Sequence, residues 1–131
     1  MNKKSWTVGM MVPLAVSTMV VTAPAASAAG VLPTVARGRC SDVSLWTIKG
    51  RPVNARMEVE FQVDSDFNGQ RWAARITDNR QLVFAGTRAT RPPRAAFTVR
   101  RLTANQVGVD HFVGRAHNPL TNEFCVARVN R

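Results

Sequence analysis

From residue 41 onward, apolar and polar residues alternate with a period near two, the signature of strands whose successive side chains point to opposite faces. The clearest run is 57–63. Met57, Val59, Phe61 and Val63 share one face, and Glu58, Glu60 and Gln62 share the other. The same alternation predicts strands over 44–49 (Trp46 and Ile48 inward), 70–77 (Trp72, Ala74 and Ile76 inward) and 81–87 (Leu82 and Phe84 inward). It continues over 95–102 (Phe97 and Val99 inward), 109–116 (Phe112, Gly114 and Ala116 on one side) and 124–129 (Cys125, Ala127 and Val129 on one side). Gly50, Pro52 and Asn54, then 64–69, then Asp78-Asn79-Arg80, then Arg91-Pro92-Pro93-Arg94, then Asn118-Pro119 punctuate the runs. About seven short strands with turns every 8 to 12 residues predict an all-β domain. The expected form is a single antiparallel β-sandwich of immunoglobulin-like architecture, with a small β-barrel as the alternative. No segment carries a sustained helical stripe.

The first 28 residues follow a different pattern. Lys3 and Lys4 precede an almost uncharged apolar run over 8–21, and Ala26-Ser27-Ala28 then places small residues where a signal peptidase reads them. The run is shorter than the roughly 20 residues a bilayer-spanning helix needs. Residues 1–28 are therefore expected to be a cleaved signal peptide, residues 29–39 a flexible lead-in containing Gly30, Pro33 and Gly38, and residues 40–131 the β-sandwich domain. Secretion, or association with the cell wall, follows as the expected localisation. In an oxidising compartment the two cysteines, Cys40 and Cys125, have one intramolecular solution, a disulfide that ties the first strand region to the last. Closing so long a loop contributes about 4 kcal/mol in the chain-entropy picture.

Of the chain's net charge of +10, Lys3 and Lys4 contribute two, and beyond residue 28 every basic residue except Lys49 is arginine. Such a domain is drawn to anionic surfaces, less so as salt rises. Arg88, Arg91, Arg94, Arg100 and Arg101 cluster around the double proline, and no acidic residue interrupts 81–106. These five are the candidate anionic-surface binding residues, with an anionic cell-wall polymer or an acidic protein as partner. A solvated, solubilising surface is the plainer reading of the same charges. Aromatic residues do not interleave with the cluster, which argues against nucleic acid.

Candidate chemistry is sparse. Asp64-Ser65-Asp66-Phe67-Asn68-Gly69 matches the first half of a calcium loop, but the closing position, where a bidentate Glu belongs, is Arg75. A β-hairpin turn built on Asn68-Gly69 is the expected role. His111 and His117 fall on one face of a strand but roughly 20 Å apart, too far to share a metal. Asp110 adjoins His111 and points to the opposite face. Glu58 and Glu60 stand about 6.5 Å apart, a spacing that any E-x-E on a strand produces. Ser41, Ser44 and Ser65 lack a nucleophile-elbow context. No catalytic residue, cofactor site or metal site is assigned, and a non-catalytic binding or structural module is the expected function. A small secreted enzyme gathering Asp110, His111 or Glu58 and Glu60, and a protease inhibitor presenting Arg91-Pro92-Pro93-Arg94, are the alternatives.

The runs Met57-Glu58-Val59-Glu60-Phe61-Gln62-Val63-Asp64, Asn68-Gly69-Gln70-Arg71-Trp72, Phe84-Ala85-Gly86-Thr87-Arg88 and Phe97-Thr98-Val99-Arg100-Arg101, with both cysteines, resemble a group of small secreted actinobacterial proteins of uncharacterised function. The resemblance covers residues 40–129. It implies an exported Gram-positive origin and a disulfide-linked β-domain, and it carries no activity.

Overall fold

A computed structural model describes residues 32–131 and, ahead of them, only Gly9, Pro13, Ala15 and Val20. The signal peptide and its cleavage point lie outside the described residues. Eight strands follow one another without a helix: β1 (Thr34–Arg39), β2 (Leu45–Val53), β3 (Arg56–Asp64), β4 (Arg71–Asp78), β5 (Gln81–Ala89), β6 (Ala96–Ala104), β7 (His111–His117) and β8 (Phe124–Asn130). They form two antiparallel sheets, β1-β2-β3-β6 (sheet A) and β5-β4-β7-β8 (sheet B), which do not close into a barrel. The sandwich predicted by the alternation is present. Its strand order is its own: β1, β2 and β3 run as a meander before the chain crosses to sheet B, whereas an immunoglobulin sheet interleaves early and late strands.

The core is the inner face of each sheet, as the period-two pattern requires. Ile48, Met57, Val59, Phe61, Val63, Phe97 and Val99 of sheet A meet Trp72, Ala74, Ile76, Phe112, Ala116, Ala127 and Val129 of sheet B. Phe97 bridges the two sheets, with its ring centroid 6.3 Å from those of both Phe61 of sheet A and Trp72 of sheet B. Two-residue turns with positive φ at both positions close β2–β3 (Asn54, Ala55) and β4–β5 (Asn79, Arg80). That backbone matches the twist of paired strands.

The Cys40–Cys125 disulfide joins the residue after β1 to β8, across a sequence separation of 85. Glu123 reinforces this tie. It is buried, and its carboxylate accepts hydrogen bonds from the Ser44 backbone N–H at 3.0 Å and from the Ser44 hydroxyl. Ser41 N–H donates to the Phe124 carbonyl at 2.8 Å, and Phe124 N–H donates to Ser41 Oγ at 2.9 Å. One flank of the sandwich is thus clamped by a covalent bond and four hydrogen bonds.

Three expectations are corrected. Residues 34–39, expected in a lead-in, form the edge strand β1. It is held by its ladder to β2, and Gly38 lies under the Trp46 indole, where a Cβ would stand 2.4 Å from that ring. Leu82, expected inside, is 56 % exposed. A bulge shifts the register between Ile76 and Thr77, so Leu82 faces outward opposite Thr77 and the extra residue, Val83, packs on the core instead. The segment 64–69 is not a hairpin, because β3 and β4 belong to different sheets and the loop carries the chain between them.

Candidate functional site

The structure does not bring the five clustered arginines to one surface. Arg100 lies on the outer face of sheet A, where its guanidinium donates to Glu60 Oε2 at 2.5 and 3.0 Å and stands 4.0 Å from Glu58. Arg88 of β5 and Arg101 of β6 each place the guanidinium carbon 4.7 Å from the centre of the Phe84 ring, closing the flank opposite the disulfide by cation–π contact. Arg91 and Arg94 project from the β5–β6 connection, exposed, on either side of a cis Pro92–Pro93 bond. Arg88 and Arg91 line one hollow together with Arg71, while Arg100 is engaged by Glu60 on the outer face of sheet A, so the five do not form the single patch expected.

The carboxylates decide where free positive charge resides. All eight fall within the described residues. Glu58, Glu60 and Asp64 project from the middle of the outer face of sheet A, where Lys49, Arg51 and Arg100 pair with the two glutamates. Burial pushes the Glu60 carboxyl up, but the hydrogen bond and charge of Arg100, with Lys49 beside it, outweigh burial and hold it below its usual value. Asp42, Asp66 and Glu123 belong to the loops at one end, and Asp78 and Asp110 are buried near the other. None is on the outer face of sheet B.

That face carries arginine instead. Arg71 and Arg75 point outward from β4, Arg115 from β7 and Arg128 from β8, and Arg80 stands at the β4–β5 turn; all five are exposed and have no carboxylate within ion-pair distance. Arg75 and Arg115 are direct cross-strand partners, and Arg128 is paired with Val113, the next outward residue of β7. Directly opposed residues of an antiparallel pair have Cβ atoms about 5 Å apart, a placement in which like charges repel. Arg75, Arg80, Arg115 and Arg128 surround an open hollow of about 1000 Å³. Adjoining it is a second groove of about 550 Å³, floored by small side chains.

The histidines bracket this face at the two ends of β7. His111 Nδ1 lies 2.8 Å from Asn130 Oδ1, and His117 Nε2 lies 2.9 Å from Asn122 Oδ1. They do not meet, and among the described residues no group of three or more metal-ligating side chains forms. The 64–69 loop is tied to the β5–β6 connection: Ser65 N–H donates to the Ala95 carbonyl at 2.8 Å, Gly69 N–H to the Thr90 carbonyl at 2.7 Å, and the Thr90 hydroxyl donates to the Phe67 carbonyl at 2.6 Å, while Gln62 Nε2 donates to Asp64 at 2.9 and 3.1 Å. Asp110 points inward, away from His111, and lies beside Asp78. Burial, then the neighbouring Asp110 carboxyl, push the Asp78 carboxyl up to about 6, while His111 acts the other way. Ionised, neither Asp78 oxygen has a hydrogen-bond partner; protonated, it has Asp110.

Sequence reasoning missed Arg71, Arg75, Arg80, Arg115 and Arg128. Their signal is the absence of acidic residues from the outward positions of β4, β5, β7 and β8, which becomes visible only once strand register places residues 75 and 115 side by side. No protein-family model matches this chain, and no curated protein or solved structure is detectably similar to it.

Proposed function

We propose that this protein is an exported, non-catalytic binding module that docks on anionic polymer of the cell envelope through the outer face of sheet B. The observation that carries this reading is the pairing of Arg75 with Arg115 on a face that holds no carboxylate. A fold that places like charges in register without counter-charges gives up some stability, and an anion that joins them recovers it. The Cys40–Cys125 disulfide and the absence, among the described residues, of any helix long and apolar enough to cross a membrane are compatible with an extracellular setting. The pairs that the sequence offered for acid–base chemistry do not converge on one site. Glu58 and Glu60 are in ion pairs, and Asp110 and His111 lie on opposite sides of sheet B.

Co-sedimentation with purified envelope of the producing organism, over a salt series, tests the reading. The expected result is binding that fades as salt rises, is lost in an Arg75→Gln/Arg115→Gln variant and persists in Arg91→Ser/Arg94→Ser. Loss in the loop variant with retention in the sheet variant would move the docking surface to the β5–β6 loop. No sedimentation at low salt would end the proposal.

A further inference from the structure

The β1–β2, β3–β4, β5–β6 and β7–β8 connections all lie at one end of the sandwich. Arg39, Leu45, Asp64 and Ala96 are in register across sheet A. Across sheet B, Ala89 pairs with Arg71, and Ala73 pairs with His117, which pairs with Phe124. Three of the four connections carry a large apolar side chain that touches little else: Leu120 is 87 % exposed, Phe67 64 % and Val43 56 %. The fourth carries the exposed Pro92 and Pro93. The opposite end is closed by two-residue turns at 54–55 and 79–80 and presents one longer loop, 105–110, with Val107 fully exposed.

The backbone beneath these side chains has its hydrogen bonds supplied from within. Pro119 has no N–H. The N–H groups of Leu120 and Thr121 donate to Asn118 Oδ1 at 3.0 and 3.3 Å, that of Asn122 to the Asn118 carbonyl at 2.8 Å, and that of Glu123 to Thr121 Oγ1 at 3.3 Å. Phe67 N–H donates to Ser65 Oγ at 3.4 Å, and the Phe67 carbonyl is held by Thr90. A loop in water can leave such groups to the solvent; a loop that enters a poorly hydrated medium must pair them itself.

The arrangement selects its partner. Side chains this exposed do not merge into the contiguous apolar patch that a folded protein covers. None of the three lines the hollows on the outer faces of the sheets or at the β5–β6 flank, where a peptide or small ligand would sit. The acyl region of a bilayer is a fluid and takes up each side chain by itself. Arg39, Arg71, Arg91 and Arg94 stand around the same end, exposed and without a carboxylate within ion-pair distance, against the exposed Asp42 and Asp66. That balance favours anionic lipid, whose headgroups the long arginine side chains can reach while the tips lie deeper. We infer that this end of the sandwich docks on an anionic lipid bilayer, with Val43, Phe67 and Leu120 entering the acyl boundary and the four arginines meeting headgroup phosphates. The inference is independent of the docking face proposed for sheet B, which stays free when the molecule stands on this end.

Co-sedimentation of the protein, expressed from its full coding sequence, with lipid vesicles tests it. One set mixes phosphatidylglycerol with phosphatidylcholine and the other is phosphatidylcholine alone. The mixed vesicles should bind the protein, and the neutral ones should bind it more weakly. Phe67→Asp and Leu120→Asp, both at solvent-facing positions, should each weaken binding to the mixed vesicles about tenfold, the loss of one buried apolar side chain. Val107→Asp adds the same charge at the opposite end and should weaken it by less than about twofold, as should Arg75→Gln/Arg115→Gln on sheet B, because both lie away from the contact. Circular dichroism confirms that each variant is folded. No binding to the mixed vesicles, tip variants that bind as the parent does, or an equal loss in Val107→Asp would overturn the inference. Neutral vesicles that bind as tightly as the mixed ones would overturn the part given to the arginines. Binding lost in Arg75→Gln/Arg115→Gln and kept in both tip variants would move the contact to sheet B, overturning this inference and leaving the proposed docking face standing.

Discussion

Gly114 of β7 lies against the ring of Phe61 of β3, so closely that a Cβ at 114 would stand 2.8 Å from two of the ring carbons. The two sheets approach each other at this point because one of them offers no side chain. Gly114→Ala therefore overpacks a filled core and should cost about 1–3 kcal/mol. Thermal unfolding of the variant reads this as a Tm lowered by roughly 4–8 °C for each kcal/mol in a domain of this size. An unchanged or raised Tm, the ordinary result of replacing glycine in a roomy strand, would show that the contact relaxes freely.

Arg115→Gln should have effects of opposite sign on folding and on docking. It relieves the repulsion between Arg115 and its cross-strand partner Arg75, a gain of about 0.2–1 kcal/mol in fold stability at low salt. The same change should weaken the proposed binding to envelope polymer. Added salt should raise the Tm of the parent protein and shrink its difference from the variant. A variant less stable than the parent at low salt would contradict the unpaired charge of this face.

The buried pair Asp78 and Asp110 sets a pH dependence. Unfolded, Asp78 loses its proton near 3.8; folded, it holds it up to about 6. Between these values the native state binds more protons than the unfolded state, so raising the pH favours unfolding and this contribution is fully lost above about pH 6. Glu60 is held below 4.5 and acts oppositely, contributing stability above that value that is lost as the pH falls through its lowered range. The Asp78 effect is therefore read between about pH 4.5 and 6, where denaturant midpoints of the parent should fall with rising pH and those of Asp78→Asn should not. Parallel pH profiles for the two proteins would refute it.

Reducing the Cys40–Cys125 disulfide should cost about 2–5 kcal/mol. Glu123→Ala removes the acceptor of the Ser44 N–H and hydroxyl and should cost about 1–3 kcal/mol by leaving buried donors without partners. Because both secure the same flank, their losses should not add: Glu123→Ala in the reduced protein should cost less than in the oxidised one. Urea unfolding of the four species measures the coupling, and strict additivity would show that the two ties act independently.

What could be read from the sequence followed from how each residue is held. β3 was fully legible, because Met57, Val59, Phe61 and Val63 are all buried in a central strand flanked on both sides. The disulfide was legible because two cysteines leave one pairing. β1 was not, since an edge strand with Gly38 and Ala36 as its inward residues has almost no apolar signal of its own. In β5, half of the alternation is inverted by a bulge whose position depends on β4, so Leu82 looked like core and Val83 did not. The arginine face was hidden for the same reason on a larger scale. Arg88, Arg91, Arg94, Arg100 and Arg101 look like one cluster along the chain, yet Arg100 turns to Glu60 on the outer face of sheet A while Arg88 and Arg101 meet at Phe84; Arg75 and Arg115 look distant and are neighbours.

The uneven placement of the carboxylates makes the molecule two-sided. A negatively charged plane meets sheet B as uninterrupted attraction and sheet A as a mosaic in which Glu58, Glu60 and Asp64 push back. On the proposed docking, adsorption would be orientation-selective, with sheet B down and the mixed-sign mosaic turned to the medium. On that reading the surface the docked protein presents outward is not the surface by which it docks.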